Sequence, residues 1–171
     1  MSMWVSAMLA LALVAGQQNP FANFLDNAGK KTGAKPGDAV RYLYPEQLSV
    51  PAGKQTAVEL HFEVKNGLHI NSHMPRTKDM IPTTITLPTD AGVTLSGVEF
   101  PAGKDFVLPV AGAPDGGDHL SVYTGDFTVR GMMVATRGEH LVQAKLRYQA
   151  CDNRACMPPH TIPVVLTVTG Q

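Results

Sequence analysis

Apolar and polar residues alternate along most of the chain after residue 41. In residues 58–64, with the sequence VELHFEV, every second position is apolar and the positions between are charged or polar. A period of two is typical of a β-strand with one buried face and one wet face. The same alternation returns in residues 141–150. Shorter apolar runs bounded by Gly, Pro, Asn or Asp occur at residues 81–87, 93–100, 123–134 and 162–168. The pattern predicts roughly seven or eight strands joined by turns.

Helical periodicity is missing from the chain after its first segment. No window of 11 or more residues there shows apolar positions at i, i+3, i+4 and i+7. Strands without crossover helices favour antiparallel sheets that bury their apolar faces against each other. We therefore predict an all-β fold, an immunoglobulin-like antiparallel β-sandwich, with a small closed barrel as the alternative. Residues 107–119 are rich in Gly, Pro and Asp and are predicted to form an exposed loop.

The first segment differs from the rest of the chain. Residues 8–15 read MLALALVA, a run too short for a bilayer, which needs about 20 apolar residues. Small residues follow it, as a signal peptidase prefers. We predict a signal peptide at residues 1–16, a flexible leader at 17–38 and one folded domain at 39–171. An uncleaved anchor or a buried strand is the alternative for the first segment.

Charge and motif content exclude several classes of function. The chain of 171 residues has 14 Lys and Arg against 14 Asp and Glu, and it contains no basic run. It therefore lacks a field that would gather phosphates or anionic lipid, and nucleic acid is not an expected partner. No phosphate-binding glycine loop, paired-carboxylate motif or Ser/His/Asp spacing supports a nucleotide-binding or hydrolytic function. No small-molecule cofactor is predicted.

The two cysteines carry the chemistry that remains. Cys151 and Cys156 are the only cysteines in the chain, and the four residues between them, DNRA, are typical of a turn. We expect both sulfurs to lie at the rim of a sheet. A disulfide here would close a very short loop, worth only about 2 kcal/mol in chain entropy against nearly 5 for a loop of about 100 residues. The pair is therefore a poor staple for the fold.

Three interpretations of the cysteine pair are open from the residues alone. The first is reversible thiol–disulfide exchange, in which one sulfur forms a mixed disulfide with a partner and the other resolves it. The second is a local structural disulfide of an exported protein. The third is a zinc or copper site formed by Cys151, Cys156 and His160. A second candidate metal pair, His69 and His73, is more typical of hydrogen-bonded or solvated strand positions.

Residues 148–159, with the sequence YQACDNRACMPP, resemble the redox motif of the DsbD N-terminal domain family of thiol:disulfide interchange proteins. Weaker similarity at residues 67–72, 81–88, 98–104 and 122–125 extends the resemblance over about 42–169. The resemblance implies an immunoglobulin-like domain in the periplasm. It also implies a cysteine pair that receives electrons from a membrane partner and passes them to thioredoxin-like periplasmic proteins, as a subunit of a larger relay.

The resemblance also implies roles for single residues. Cys156 would form the intermolecular bond and Cys151 would resolve it. Phe106 is the nearest candidate for the aromatic cap that covers the pair in this family. Independently of the resemblance, His160 is close enough in sequence to the cysteines to tune a thiolate. We expect a separate membrane thiol reductase as the donor. The alternative function is a non-catalytic secreted binding or scaffold module with a structural hairpin disulfide.

Overall fold

The computed structural model describes residues 38–43, 47–110 and 116–171. The predicted signal peptide (1–16) and the predicted leader (17–38), apart from Asp38, lie outside the described residues. The described part contains twelve β-strands. They are β1 Val40–Leu43, β2 Gln47–Val50, β3 Thr56–Val64, β4 His69–Asn71, β5 Thr84–Thr86, β6 Val93–Glu99, β7 Lys104–Pro109, β8 Gly117–Tyr123, β9 Asp126–Ala135, β10 Gly138–Tyr148, β11 Ala150–Cys151 and β12 His160–Gly170.

The strands form three four-stranded sheets, with the orders β1-β3-β9-β6, β2-β12-β10-β5 and β11-β4-β8-β7. All the described strand pairs are antiparallel except β2 with β12, which is parallel. The first two sheets contribute their buried faces to one hydrophobic cluster. The predicted all-β immunoglobulin-like sandwich is confirmed. No helix in the described ranges is long and apolar enough to cross a bilayer.

The core follows the alternation seen in the sequence. On β3 the apolar positions 58, 60, 62 and 64 are all buried, and on β10 positions 142, 144, 146 and 148 are buried as well. The Phe62 ring stacks on the Phe127 ring of β9 at a centroid distance of 5.2 Å. Such offset aromatic contacts add to the burial energy of the two rings. The predicted inward and outward faces of residues 58–64 and 141–150 are therefore confirmed.

The predicted loop at residues 107–119 is too long, because residues 107–109 and 117–119 belong to strands, whereas residues 111–115 lie outside the described residues. Strands β7 and β8 form an antiparallel pair, in which Phe106 lies opposite Leu120 and Pro109 lies opposite Gly117. Burial of Leu120 on β8 holds the hairpin against the protein. Gly117 has a φ of +150°, and a Cβ there would lie 1.9 Å from the Leu108 carbonyl oxygen. Glycine is therefore needed for close strand approach here, whereas the sequence pattern suggested a loop.

Two other predicted strands have different limits. The run at residues 123–134 is interrupted, because β8 ends at Tyr123 and β9 begins at Asp126 after a turn at Gly125, whose φ is +61°. The run at residues 81–87 supplies only the short strand β5. The first difference reflects a turn inside an apolar run, which periodicity does not detect.

The third sheet positions the two cysteines. Strand β10 ends at Tyr148, and after one residue the chain enters β11, which pairs with β4. Cys151 therefore leaves the main sandwich and joins the sheet built from β4, β8 and β7. The β11–β4 pairing holds Cys151, and its other residue pair, Ala150 with Ile70, belongs to the hydrophobic cluster.

Leu146→Ala tests the assigned faces of β10. Leu146 is fully buried, whereas Gln143 on the same strand is exposed. We expect Leu146→Ala to lower the free energy of unfolding by about 2–5 kcal/mol, because it removes buried methyl groups and leaves a cavity. The control Gln143→Ala should change it by no more than about 0.5 kcal/mol. Urea denaturation measures both, and equal losses would contradict the assigned faces.

Candidate functional site

Cys151 and Cys156 form a disulfide with an S–S distance of 2.05 Å. An isolated antiparallel bridge also joins the backbones of the two residues. Their exposure differs sharply: Cys151 is 1% exposed, whereas Cys156 lies at the surface. An incoming thiolate must reach the sulfur that it attacks, so access favours Cys156. The sequence placed both sulfurs at a sheet rim without distinguishing them.

The predicted turn between the cysteines is built around Asp152. Its Oδ1 accepts the backbone N–H of Arg154 at 2.7 Å and that of Ala155 at 2.8 Å. These two hydrogen bonds, with Ala155 contributing most, hold the pKa of the Asp152 carboxyl below its ordinary value. The Asp152 N–H donates to the Ala155 carbonyl at 3.0 Å and closes the turn. An ionised Asp152 therefore stabilises the conformation that brings the two sulfurs together.

Gln149 ties the far side of the turn to the third sheet. Its Oε1 accepts hydrogen bonds from Asn71 Nδ2 at 3.1 Å and from the Ile81 N–H at 3.2 Å. Its Nε2 donates to the Met157 carbonyl at 3.3 Å. The Met157 N–H in turn donates to the Ala150 carbonyl at 2.8 Å. This network anchors the residue next to Cys156 to strand β4 and the segment before β5.

His69 lies directly opposite Cys151 in the pairing of β4 with β11. Opposite residues of an antiparallel pair direct their side chains to the same face of the sheet. His69 is only 1% exposed, and its Nε2 has no hydrogen-bond partner among the described residues. Burial lowers the pKa of His69, and the nearby Asp152 carboxylate partly opposes this effect. The imidazole is therefore neutral at pH 7.

Phe106, the predicted cap residue, lies on β7. Its ring packs against the His69 ring with a centroid distance of 4.2 Å. His69 is the strand partner of Cys151, so His69 connects the Phe106 ring to the disulfide. The structure thus places the predicted cap residue in the same sheet as Cys151, and its capping role remains a prediction.

His160 begins β12 and contacts other groups. Its Nε2 lies 3.0 Å from Asp38 Oδ1, and its ring meets the Tyr148 ring edge-on at 5.9 Å. The described partners of His160 are therefore the Asp38 carboxylate and the Tyr148 ring. The predicted tuning of a thiolate by His160 remains a prediction.

The two cysteines and His73, three of the residues considered for metal binding, have other partners in this structure. Both sulfurs are in the disulfide. The His73 ring stacks on Phe100 at 4.4 Å, and its Nδ1 donates to the Thr83 carbonyl at 2.9 Å. Within the described part of the chain, no group of three or more His, Cys, Asp or Glu side chains is arranged to hold a metal ion.

Sequence reasoning considered His69 only as half of a metal pair. The signal that could have found it is a histidine among apolar neighbours in residues 67–71, GLHIN, which places a titratable ring on a buried strand. Its position opposite Cys151 depends on a pairing between segments about 80 residues apart, which local patterns do not specify.

Residues 39–167 match the family described as "Thiol:disulfide interchange protein DsbD, N-terminal". The chain belongs to this family. The DsbD N-terminal family is periplasmic and functions in thiol–disulfide interchange, which fits a disulfide with one sulfur exposed. No significant match was found among curated proteins.

Two solved structures are similar to this DsbD N-terminal family member. The alignment with the reduced N-terminal domain of DsbD from Neisseria meningitidis has 16% sequence identity and a TM-score of 0.44. It covers 70% of this chain and 82% of the Neisseria chain. The alignment with the ASH/PapD-like domain 7 of human CEP192 has 11% sequence identity and a TM-score of 0.34. It covers 100% of this chain and 98% of the CEP192 chain. The assignment to the family depends on the match over residues 39–167 and not on these two similarities.

Gln149→Leu tests the network beside Cys156. The substitution leaves the Ile81 N–H and the Met157 carbonyl without their partner. We expect the free energy of unfolding of the oxidised protein to fall by about 1–3 kcal/mol, the cost of unsatisfied polar groups. Urea denaturation measures the loss, with Gln143→Leu on the exposed face of β10 as the matched control. Indistinguishable losses in the two variants would show that the network does not stabilise the site.

Proposed function

We propose that this domain relays reducing equivalents in the periplasm by thiol–disulfide exchange through Cys151 and Cys156. The observation that carries the proposal is the asymmetry of the disulfide, an exposed Cys156 bonded to a buried Cys151. Exchange between proteins needs one sulfur that a partner can reach and a second that is protected until it resolves the intermediate. Membership of the DsbD N-terminal family supports the same function.

The loading half of the cycle reduces the disulfide. A thiolate of a donor dithiol attacks the Cys156 sulfur, the Cys151–Cys156 bond breaks, and its electron pair leaves on the Cys151 sulfur. The second donor thiolate then attacks its own neighbour in the mixed disulfide and releases Cys156. The donor becomes a disulfide, and the domain takes up two electrons and two protons.

The unloading half reverses these bonds on an acceptor. The Cys156 thiolate attacks the acceptor disulfide and forms a mixed disulfide, which releases one acceptor thiolate. Cys151 then attacks the Cys156 sulfur, re-forms the intramolecular bond and releases the second acceptor thiolate. The Asp152 turn supports this step, because it holds the two cysteines close and makes the resolving attack intramolecular.

The energetics of the fold are compatible with repeated opening. The disulfide closes a loop with a sequence separation of only 5, so its chain-entropy contribution is about 2 kcal/mol. The hydrophobic core is formed mainly by the two sheets of the sandwich. Breaking the bond therefore removes a small part of the total stability and leaves the packed core intact.

The proposed partners are thioredoxin-like periplasmic proteins as acceptors and a separate membrane thiol reductase as donor. Met157, which follows Cys156, is 39% exposed. A flexible, polarizable side chain beside the reactive sulfur offers an apolar contact that adapts to more than one partner. The predicted signal peptide at residues 1–16 supplies the export that this proposal needs.

Cysteine replacement tests the proposed roles. We expect reduced Cys151→Ala to capture a thioredoxin-like protein whose single remaining active-site thiol carries thionitrobenzoate, because Cys156 attacks and nothing resolves the product. Cys156→Ala should capture far less, since Cys151 is buried. Non-reducing electrophoresis and mass spectrometry identify the product. Absence of a mixed disulfide in both variants would favour the alternative, a scaffold with a structural disulfide.

A further inference from the structure

We propose that His69 is the base that accepts the Cys151 proton when this thiol resolves the mixed disulfide. The inference rests on the proposed exchange function and assigns the protonation step within it. His69 Nε2 is buried and has no hydrogen-bond partner in the part of the chain that the structure describes, and His69 lies directly opposite the buried Cys151. A buried polar atom left unsatisfied in a folded protein calls for an explanation, and a role in one state of a reaction cycle provides it.

Cys151 and His69 are opposite residues in the antiparallel pair of β11 with β4. The Cβ atoms of such pairs are about 5 Å apart, and both side chains stand on the same face of the sheet. An imidazole and a thiol on neighbouring strands are therefore within reach of each other when the disulfide opens.

Cys151 must lose a proton before it can attack, since the thiolate and not the thiol is the nucleophile. Both Cys151 and His69 are 1% exposed, so bulk water has little access to this sulfur. A basic group of the protein itself is needed, and His69 Nε2 is a nitrogen at this position with no hydrogen-bond partner among the described residues.

Burial lowers the pKa of His69, which keeps the ring neutral and able to accept a proton near pH 7. The Asp152 carboxylate attracts the charge that forms on the ring after proton transfer. Asp152 itself is a poor base, because its Oδ1 already accepts two backbone hydrogen bonds that lower its pKa.

The other strands of this sheet present no competing base to His69. From β7 the ring meets Phe106, which does not titrate. Asp105, the neighbour of Phe106 on β7, points to the opposite face and pairs with Arg76 and His119. On β8, Tyr123 lies opposite Ile70, and its hydroxyl donates to the Pro101 carbonyl.

The proposed step balances within the mixed disulfide. The Cys151 proton moves to Nε2 of the neutral imidazole, in the tautomer that carries its proton on Nδ1. The Cys151 sulfur attacks Cys156, the bond from Cys156 to the partner breaks, and the electron pair leaves on the partner sulfur. The imidazolium then returns its proton to the partner thiolate or to solvent. No additional oxidant or reductant takes part.

Two-phase kinetics test the proposal. Reduced protein mixed with an aromatic disulfide that releases thionitrobenzoate should release it first as Cys156 reacts and again as Cys151 resolves. We expect His69→Gln to slow the second phase at pH 7 by about 10-fold or more, in line with general base catalysis. The first phase should stay within about two-fold. The pH profile of the second phase should shift up toward about 8.5, the pKa of an unassisted thiol.

The controls separate a proton acceptor from a structural residue. His119→Gln changes an exposed histidine on the opposite face and should leave both phases unchanged. His69→Ala with added imidazole should recover part of the second phase, whereas a merely structural defect would not respond. A second phase with wild-type rate and pH profile in His69→Gln would overturn the proposal, and so would equal slowing of both phases without rescue. If His69→Gln resolves normally while Cys151→Ala still captures a partner, only the role of His69 fails.

Discussion

The short pairing of β11 with β4 is the constraint on which the site depends. It contains two residue pairs, yet it buries Cys151 against His69 and leaves Cys156 at the surface after the Asp152 turn. Without this pairing both sulfurs would lie in a flexible hairpin and would be equally accessible. The distinction between an attacked sulfur and a protected one therefore comes from backbone hydrogen bonding and not from the cysteine spacing.

The site lies at the margin of the elements that form most of the core. The core is formed by alternate residues of long strands such as β3, β9, β10 and β12, which pair in continuous ladders. The cysteines lie on a short strand and a turn that depend on Gln149 and Asp152 for their hydrogen bonds. Under the proposed function, this placement lets the disulfide open and close while the continuous ladders of the sandwich stay paired.

The sequence was informative where local chemistry determines structure. Period-two alternation predicted the buried faces of β3 and β10, and the DNRA segment predicted the turn between the cysteines. It failed at residues 107–109 and 117–119, which belong to paired strands, because Gly117 permits close strand approach and was interpreted as part of a loop. It also failed to place His69 beside Cys151, because that contact depends on strand pairing between distant segments. The cysteines were found from their motif, but their unequal burial required the fold.

The most direct test of the central claim is the reduction potential of the Cys151–Cys156 disulfide, measured by equilibration with a thioredoxin-type dithiol. A relay disulfide should equilibrate reversibly at a potential between about −270 and −180 mV, the range of thioredoxin-like proteins, with the β-sheet spectrum unchanged. A bond that stays oxidised below about −300 mV, or whose reduction unfolds the domain, would contradict the account and identify the disulfide as structural.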